Sequence, residues 1–217
     1  LAQLHVDMQR VAMPPQLLFV RGRVDLLQQP ALAIVGARQA SGDACAWAAQ
    51  LATELTSAGY VVVSGGARGI DAAAHQAAMQ TGGRTVVMMG TGIDRIYPGS
   101  HRNMFRELLA AGGAIVSEHP ARVTTYPSDH AKRNRLIVAQ AAGVVVVEAA
   151  LRSGSLITAR IARQLGKPLW VPPAEVGGAR AGIDELLLQG AEIWRGLPSN
   201  LVKSLESSGG RVYEAPQ

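Results

Sequence analysis

Two hydrophobic patterns alternate along this chain. Short apolar runs, rich in valine and isoleucine, are typical of strands buried on both faces, and they are separated by segments with apolar residues every three or four positions, which predict helices. The predicted core strands are residues 31–35, 61–63, 85–89, 114–117, 144–148 and 169–171. Strands alternating with helices predict an α/β fold with a doubly wound parallel sheet, Rossmann-like in its connections.

The segments between and beyond these strands predict the helices and the edges of the domain. Helices are expected after Ser41, from about residue 70, over residues 103–110, from Arg133, from Ser153 and over residues 183–189. Residues 119–132 predict a long polar loop, and residues 17–20 predict a short extended segment on the edge of the main domain. We therefore expect three parts: an N-terminal extension packed on the core (1–30), a Rossmann-like domain (31–197) and a polar tail (198–217).

The segment 61–75 joins a strand to a helix through a glycine-rich turn that contains Ser64, Gly65, Gly66, Arg68 and Gly69. Free backbone N–H groups and the helix dipole make such a turn suitable for an anion. The glycines alone are equally explained by a tight turn. The phosphate interpretation is favoured because packing contacts do not explain the presence of an arginine in this turn, whereas its guanidinium group is suited to binding phosphate.

Ligands of doubly wound sheets bind beyond the carboxyl ends of the strands. The turns expected there are 36–38, 64–69, 90–92, the segment after Glu118, and Ser153–Gly154–Ser155. Arg38, Arg68 and the pair Arg133 and Arg135 are then expected to converge on one rim. Arg135 could instead be structural and pair with Glu148 or Glu118, in which case its loss should cost stability.

Composition supports a polyanionic partner. The 217 residues carry a net charge of +5, whereas only 4% of them are aromatic, so contacts to a nucleic-acid backbone should outweigh base stacking. The apolar fraction of 48% suffices for a full core, yet no apolar run approaches the ~20 residues that a membrane span needs. A cytoplasmic protein with no membrane association is expected, and the single cysteine, Cys45, is interpreted as a core residue.

Sequence motifs for common catalytic chemistry are missing. The first turn is not G-x-G-x-x-G, and there is no P-loop lysine motif, H-E-x-x-H or G-x-S-x-G. Ser153 and Ser155 cap the next helix, bind a phosphate beside it, or do both. Asp71 lies in the first turn of its helix, where a carboxylate interacts favourably with the helix dipole, so a structural role is favoured, and it could also hold Arg68 in place. His75 is interpreted as the partly buried partner of Asp71. Glu148 could be catalytic in a nucleotide hydrolase, satisfy backbone groups or orient an arginine.

The same residues resemble the DNA-processing protein A (DprA/Smf) family of bacterial natural transformation. The matching segments are LAIVGAR (32–38), SGGARGID (64–71), His75, RNRLI (133–137), VVEAALRSGSLIT (146–158) and Gly190–Ala191. The resemblance implies an extended Rossmann domain that binds and protects single-stranded DNA, helps to load the RecA recombinase in competence and DNA recombination, and forms a homodimer near the last helix. It implies no catalysis, no cofactor and no metal ion.

Carried over onto this sequence, the resemblance and the turns give one set of DNA-binding residues. The set is Gly36, Arg38, Ser64, Gly65, Gly66, Arg68, His130, Lys132, Arg133, Asn134, Arg135, Ser153, Gly154 and Ser155. His130 stands where the family usually has a phenylalanine that stacks on bases. The residues expected at the dimer interface are Ile183, Leu186, Leu187 and Leu188, because one helix face cannot bury three consecutive leucines.

Two functions from different classes remain. The first is a recombination mediator without catalysis. The second is a nucleotide-binding enzyme similar to the phosphoribohydrolases of the cytokinin-activating (LOG) type, which share this kind of sheet and its glycine-rich turns. Those enzymes usually carry P-G-G-x-G-T-x-x-E where this chain has Ser153 to Thr158, without the glycine pair and the glutamate. We therefore favour the mediator.

Overall fold

A computed structural model describes residues 6–198 of the chain. Its centre is one sheet of eight strands in the order β1-β5-β4-β3-β2-β6-β7-β8. The strands are β1 (Phe19–Gly22), β2 (Ala31–Val35), β3 (Val61–Ser64), β4 (Thr85–Met89), β5 (Ala114–Ser117), β6 (Val144–Val146), β7 (Leu169–Val171) and β8 (Glu192–Ile193). All neighbours pair in parallel except β1, which runs antiparallel to β5 at the sheet edge. The predicted α/β fold is confirmed, and so is the extended segment at the edge, which becomes β1.

Helices cover both faces of this sheet. They are α1 (Gly42–Ser57), α2 (Ile70–Gln80), α3 (Arg102–Ala110), α4 (Pro127–Gln140), α5 (Gly154–Gln164) and α6 (Ala181–Leu188). Successive residues of a strand point to opposite faces of the sheet. The side chains on one face pack on α1, α2 and α3, and those on the other face pack on α4, α5 and α6. Burial on both faces is the reason that the core strands are almost wholly apolar.

Helix α4 begins six residues before the predicted position. Its first residue is Pro127, which suits the first turn because proline has no N–H to satisfy there. The backbone N–H of Tyr126 donates to Asp129 Oδ2 at 2.8 Å, which closes the helix start. The prediction of a loop to residue 132 and a helix from Arg133 is therefore wrong. The first helical turn is largely polar, so apolar spacing does not reveal it.

The segment before β2 is also packed on the sheet. Met8, Leu26 and Leu27 are buried in the same apolar cluster as β2 and α4. Within residues 6–198, no helix is both long enough and apolar enough to cross a membrane. The predicted tail, residues 198–217, lies outside the described residues apart from Pro198.

Candidate nucleic-acid interface

Two neighbouring turns, residues 36–40 after β2 and residues 65–69 after β3, meet at the carboxyl edge of the sheet. We call them the twin turns. The backbone N–H of Ile70 donates to Ala37 O at 3.2 Å. Gly69 has φ +71°, and a Cβ there would lie 2.3 Å from Ala37 O, so this contact requires glycine. Arg38 and Arg68 are both exposed on these turns, as expected for a phosphate-binding rim.

A buried carboxylate holds the second of the twin turns. Asp71 Oδ2 accepts hydrogen bonds from Gly65 N at 3.1 Å and from Ala67 N at 3.2 Å. Burial raises the pKa of Asp71, whereas the charge of Arg133 and the two backbone donors lower it. The structural role expected for Asp71 is confirmed, and it acts on the backbone of the turn that carries Arg68.

Arg133 lies beneath the same turn. It is 7% exposed, and its Nη1 donates to Gly65 O at 2.8 Å. A Cβ at Gly65 would lie 2.6 Å from Arg133 Nη2, so only glycine admits the guanidinium so close. Burial lowers the pKa of Arg133 to about 10, against the opposing effect of Asp71, and the side chain remains charged at neutral pH.

Arg135 is also directed into the protein. Its guanidinium makes two hydrogen bonds of 2.6 Å to Glu118, and its Nε donates to Met13 O at 3.0 Å. The prediction that Arg133 and Arg135 converge on one rim with Arg38 and Arg68 is therefore wrong, whereas the alternative that Arg135 is structural and pairs with Glu118 is confirmed. Both guanidinium groups are occupied inside the fold, where they join α4 to distant segments.

The remaining predicted residues around the turns differ in accessibility. Ser64, Gly65 and Gly66 are buried, and Ser64 Oγ donates to Ile34 O at 2.6 Å. Their backbone shapes the turn, while contact with a ligand depends on the exposed residues beside them. Gly36 is half-buried, and a Cβ there would lie 2.5 Å from the Ile70 side chain, which explains the glycine.

The start of α5 adjoins this edge through Asn134. Its Nδ2 donates to Gly154 O at 3.3 Å, which links α4 to the predicted turn Ser153–Gly154–Ser155. Ser153 occupies the N-cap of α5, but its hydroxyl bonds to Ser155 Oγ at 2.8 Å and makes no capping hydrogen bond. The expected cap is thus present by position and not by side-chain contact.

His130 and Lys132 lie on the first turns of α4. Lys132 is exposed and pairs with Asp129 at 3.2 Å, while His130 is half-buried. Burial lowers the pKa of His130, and the charges of Arg133 and Arg38 lower it further. The ring of Tyr97 lies 4.8 Å from that of His130, measured between centroids, at an angle of 38°. Sequence reasoning missed Tyr97, since nothing local in the turn before α3 connects it to α4.

Glu148 is enclosed at the end of the central strands. It is 4% exposed, and its Oε2 accepts from Ser41 N at 2.9 Å and Ser41 Oγ at 3.1 Å. A Cβ at Gly178 would lie 2.2 Å from the same oxygen. Of the three roles left open for Glu148, the structure supports the satisfaction of backbone groups.

His75 is buried away from Asp71, so its predicted pairing with that residue is wrong. Its Nδ1 lies 2.7 Å from Thr85 Oγ1, whose proton is donated to Val62 O at 2.8 Å. Nδ1 must therefore carry the imidazole proton, and Nε2 has no hydrogen-bond partner among the residues that the structure describes. Burial lowers the pKa of His75 to about 3.

This buried neutral imidazole predicts acid sensitivity. The pKa in the fold is about 3 and the ordinary value is 6.5, so the unfolded chain binds more protons between these values. Stability should fall as pH drops through this window, by up to about 1.4 kcal/mol per pH unit. Urea unfolding of the parent and of His75→Gln at several pH values measures the effect. The substitution should flatten the dependence, and an equal slope in both proteins would contradict the assignment.

The residues predicted at a dimer interface differ in how far they are exposed. On α6, Ile183 and Leu186 are buried in the chain's own core, Leu187 is half-buried, and Leu188 is 86% exposed. The expectation that a leucine projects outward is confirmed by Leu188.

Over residues 6–198, no group of three or more histidine, cysteine, aspartate or glutamate side chains is placed to hold a metal ion.

Comparison with known proteins shows the family of the chain. A family model described as DNA recombination-mediator protein A matches residues 3–205. The chain belongs to that family. Protein Smf of Escherichia coli is 36% identical over 203 residues, and DNA processing protein DprA of Streptococcus pneumoniae is 35% identical over 188 residues. These matches cover 94% and 86% of the chain, but only 54% and 66% of the respective relatives.

A solved structure from this family extends the comparison. DNA processing protein A from Helicobacter pylori, described for its single-stranded DNA binding mode, superposes with a TM-score of 0.82 and 31% identity. The match covers 96% of this chain and 95% of that one. The family resemblance predicted from the motifs is therefore confirmed. The molybdenum cofactor binding protein of Rippkaea orientalis, at 19% identity and a TM-score of 0.54, is similar in fold alone.

Proposed function

We propose that this chain binds single-stranded DNA across the twin turns. The observation that carries the proposal is the pair of exposed arginines, Arg38 and Arg68, on two turns that contact each other at the carboxyl edge. Arginine there gains nothing from packing, whereas a phosphate backbone gives both guanidinium groups partners. Lys132 adds exposed positive charge at the start of α4.

We further propose that the chain acts as a recombination mediator in the cytoplasm. It would protect incoming single strands during natural transformation and help to load RecA on them. Membership of the recombination-mediator family and the single-stranded DNA binding described for the Helicobacter pylori relative support this function. Because the chain spans about half to two-thirds of the Escherichia coli and Streptococcus pneumoniae relatives, the activities of those longer proteins are extended to it only as proposals.

Catalysis is not part of this proposal. Glu148, the residue that the sequence offers to a nucleotide hydrolase, is buried, and so are Asp71 and His75. Asp71 and Glu148 accept hydrogen bonds from the turns they hold in place, and His75 contacts Thr85. Among the residues that the structure describes, no specific contact favours the phosphoribohydrolase alternative.

One experiment compares the two functions directly. Fluorescence anisotropy with labelled oligo-dT should show binding that weakens steeply with salt, because counterions are released from the strand. The same preparation, incubated with nucleoside monophosphates, should release no free base. Base release at catalytic rates without oligo-dT binding would establish the enzyme instead.

We also propose a homodimer that uses α6. The exposed Leu188 and the half-buried Leu187 are the apolar residues of the predicted set that remain for a partner, since Ile183 and Leu186 are buried in the core. Leu188→Glu should place a charge in the interface and shift sedimentation from dimer to monomer, while a cooperative thermal melt shows that the monomer is still folded. Leu151→Glu, at another exposed leucine, is the matched control. A Leu188→Glu protein that sediments like the parent would rule out this helix face.

A further inference from the structure

Tyr97 presents an aromatic ring at the carboxyl edge of the sheet, on the loop between β4 and α3. It is 53% exposed, although most aromatic side chains in the described part of the chain are at least half-buried. One neighbour of the ring is His130, 4.8 Å away between centroids. In proteins that bind single-stranded nucleic acids, bases stack on aromatic side chains that are exposed on a basic surface.

The ring is supported by a fixed partner. Gly90, at the end of β4, lets α4 approach so closely that a Cβ there would lie 2.8 Å from His130 Cα. This contact sets the backbone position of His130. Burial and the charges of Arg133 and Arg38 lower the pKa of the imidazole, which is therefore uncharged at neutral pH and packs against Tyr97 as a neutral ring.

Positive charge surrounds this aromatic pair. The positive charge of Arg38, on the twin turns, contributes to lowering the pKa of His130. Arg95 is exposed on the same connection as Tyr97, two residues before it, and Arg102 is exposed at the first position of α3, five residues after it. The connection also contacts the second twin turn, because His101 Nδ1 lies 3.1 Å from Gly66 O. A strand with its phosphates on the twin turns would thus pass a ring suited to its bases.

We propose that the exposed face of Tyr97 stacks on a nucleobase of the bound single strand, with His130 packed against the ring as its support. This inference rests on the proposed single-stranded DNA binding and deepens it. Stacking uses the π-face that every base has, so the contact should be tolerant of sequence. It assigns base contact to a residue outside the predicted set, while the twin turns contact phosphate.

The test compares two strands and three proteins. Oligo-dT and an abasic strand of equal length have the same phosphates, but only the first has bases. Tyr97→Leu should weaken oligo-dT binding roughly 5- to 150-fold, the range for one base–aromatic stack, and leave abasic binding unchanged. Tyr97→Phe, the matched control that keeps the ring, should bind both strands within about twofold of the parent.

A second readout does not depend on affinity. An oligonucleotide that contains 2-aminopurine should lose fluorescence on binding the parent and Tyr97→Phe, and should lose less on saturation with Tyr97→Leu. Thermal melts check that the variants are folded, which is expected because Tyr97 is exposed.

The outcomes distinguish a failure of base stacking by Tyr97 from a failure of single-stranded DNA binding itself. If the parent binds neither strand, single-stranded DNA binding itself is refuted, and stacking with it. If the parent binds both strands and Tyr97→Leu does so with equal affinity, only the stacking role is overturned. An equal loss on both strands also overturns stacking, since the side chain would then act on the phosphate contacts.

Discussion

Replacing both Arg38 and Arg68 by alanine is expected to weaken oligo-dT binding about hundredfold at low salt. Each arginine should contribute about tenfold, the effect of one hydrogen bond to a charged group. The loss should be similar for all base sequences, because phosphates are the partners. The slope of log affinity against log salt should fall by roughly 0.7 for each arginine. Anisotropy titrations at several salt concentrations measure both quantities.

A matched control separates local contact from overall charge. Arg84 directly precedes β4, and Arg163 lies in the last turn of α5, so both exposed arginines belong to the opposite edge of the sheet. The double variant Arg84→Ala, Arg163→Ala removes the same charge, and its affinity should remain within a few-fold of the parent. Unchanged affinity in folded Arg38→Ala, Arg68→Ala protein would refute the phosphate role of the twin turns.

Arg133→Met is expected to lower the free energy of unfolding by about 3–5 kcal/mol, because it removes the buried hydrogen bond to Gly65 O together with the positive charge that acts on the buried Asp71. Asp71→Asn should lower it by a comparable amount for the converse reason, with Arg133 left uncompensated. The double variant should lose about 0.5–3 kcal/mol less than the sum of the two single losses, because the two side chains interact. Urea unfolding of the parent and the three variants measures this coupling.

The neighbouring residue supplies the control. Lys132 is exposed and pairs with Asp129 at the surface, so Lys132→Met should change the free energy of unfolding by at most about 1 kcal/mol. Additive losses in the Asp71 and Arg133 variants would contradict the electrostatic pair. If Arg133→Met lowers the free energy of unfolding no more than Lys132→Met does, the buried Arg133 contributes no more to stability than an exposed lysine.

Much of this architecture could be predicted because it depends on local sequence. The strand around residue 62 is apolar on both sides, and the glycines after it permit a turn that other residues resist, as the positive φ of Gly69 shows. Arg38 and Arg68 follow directly from these turns. Parallel strands expose their following turns at one edge, so the order of strands and turns along the chain is enough to place both arginines at that edge.

Other features depended on contacts between distant segments. Arg133 and Arg135 have the same charge as Arg38 and Arg68, but their partners are Gly65, 68 residues away along the chain, and Glu118. The approach of Tyr97 to His130 likewise requires α4 to pack over Gly90.

Apolar periodicity determines which faces are buried, and turn residues determine where the chain reverses. Whether a polar side chain lies in solvent or in the interior depends on whether a distant segment supplies its hydrogen bonds and opposite charge. The sequence by itself therefore determined the sheet, its turns and the two exposed arginines. Only the tertiary structure decided that two other arginines are buried and that an exposed tyrosine lies beside His130.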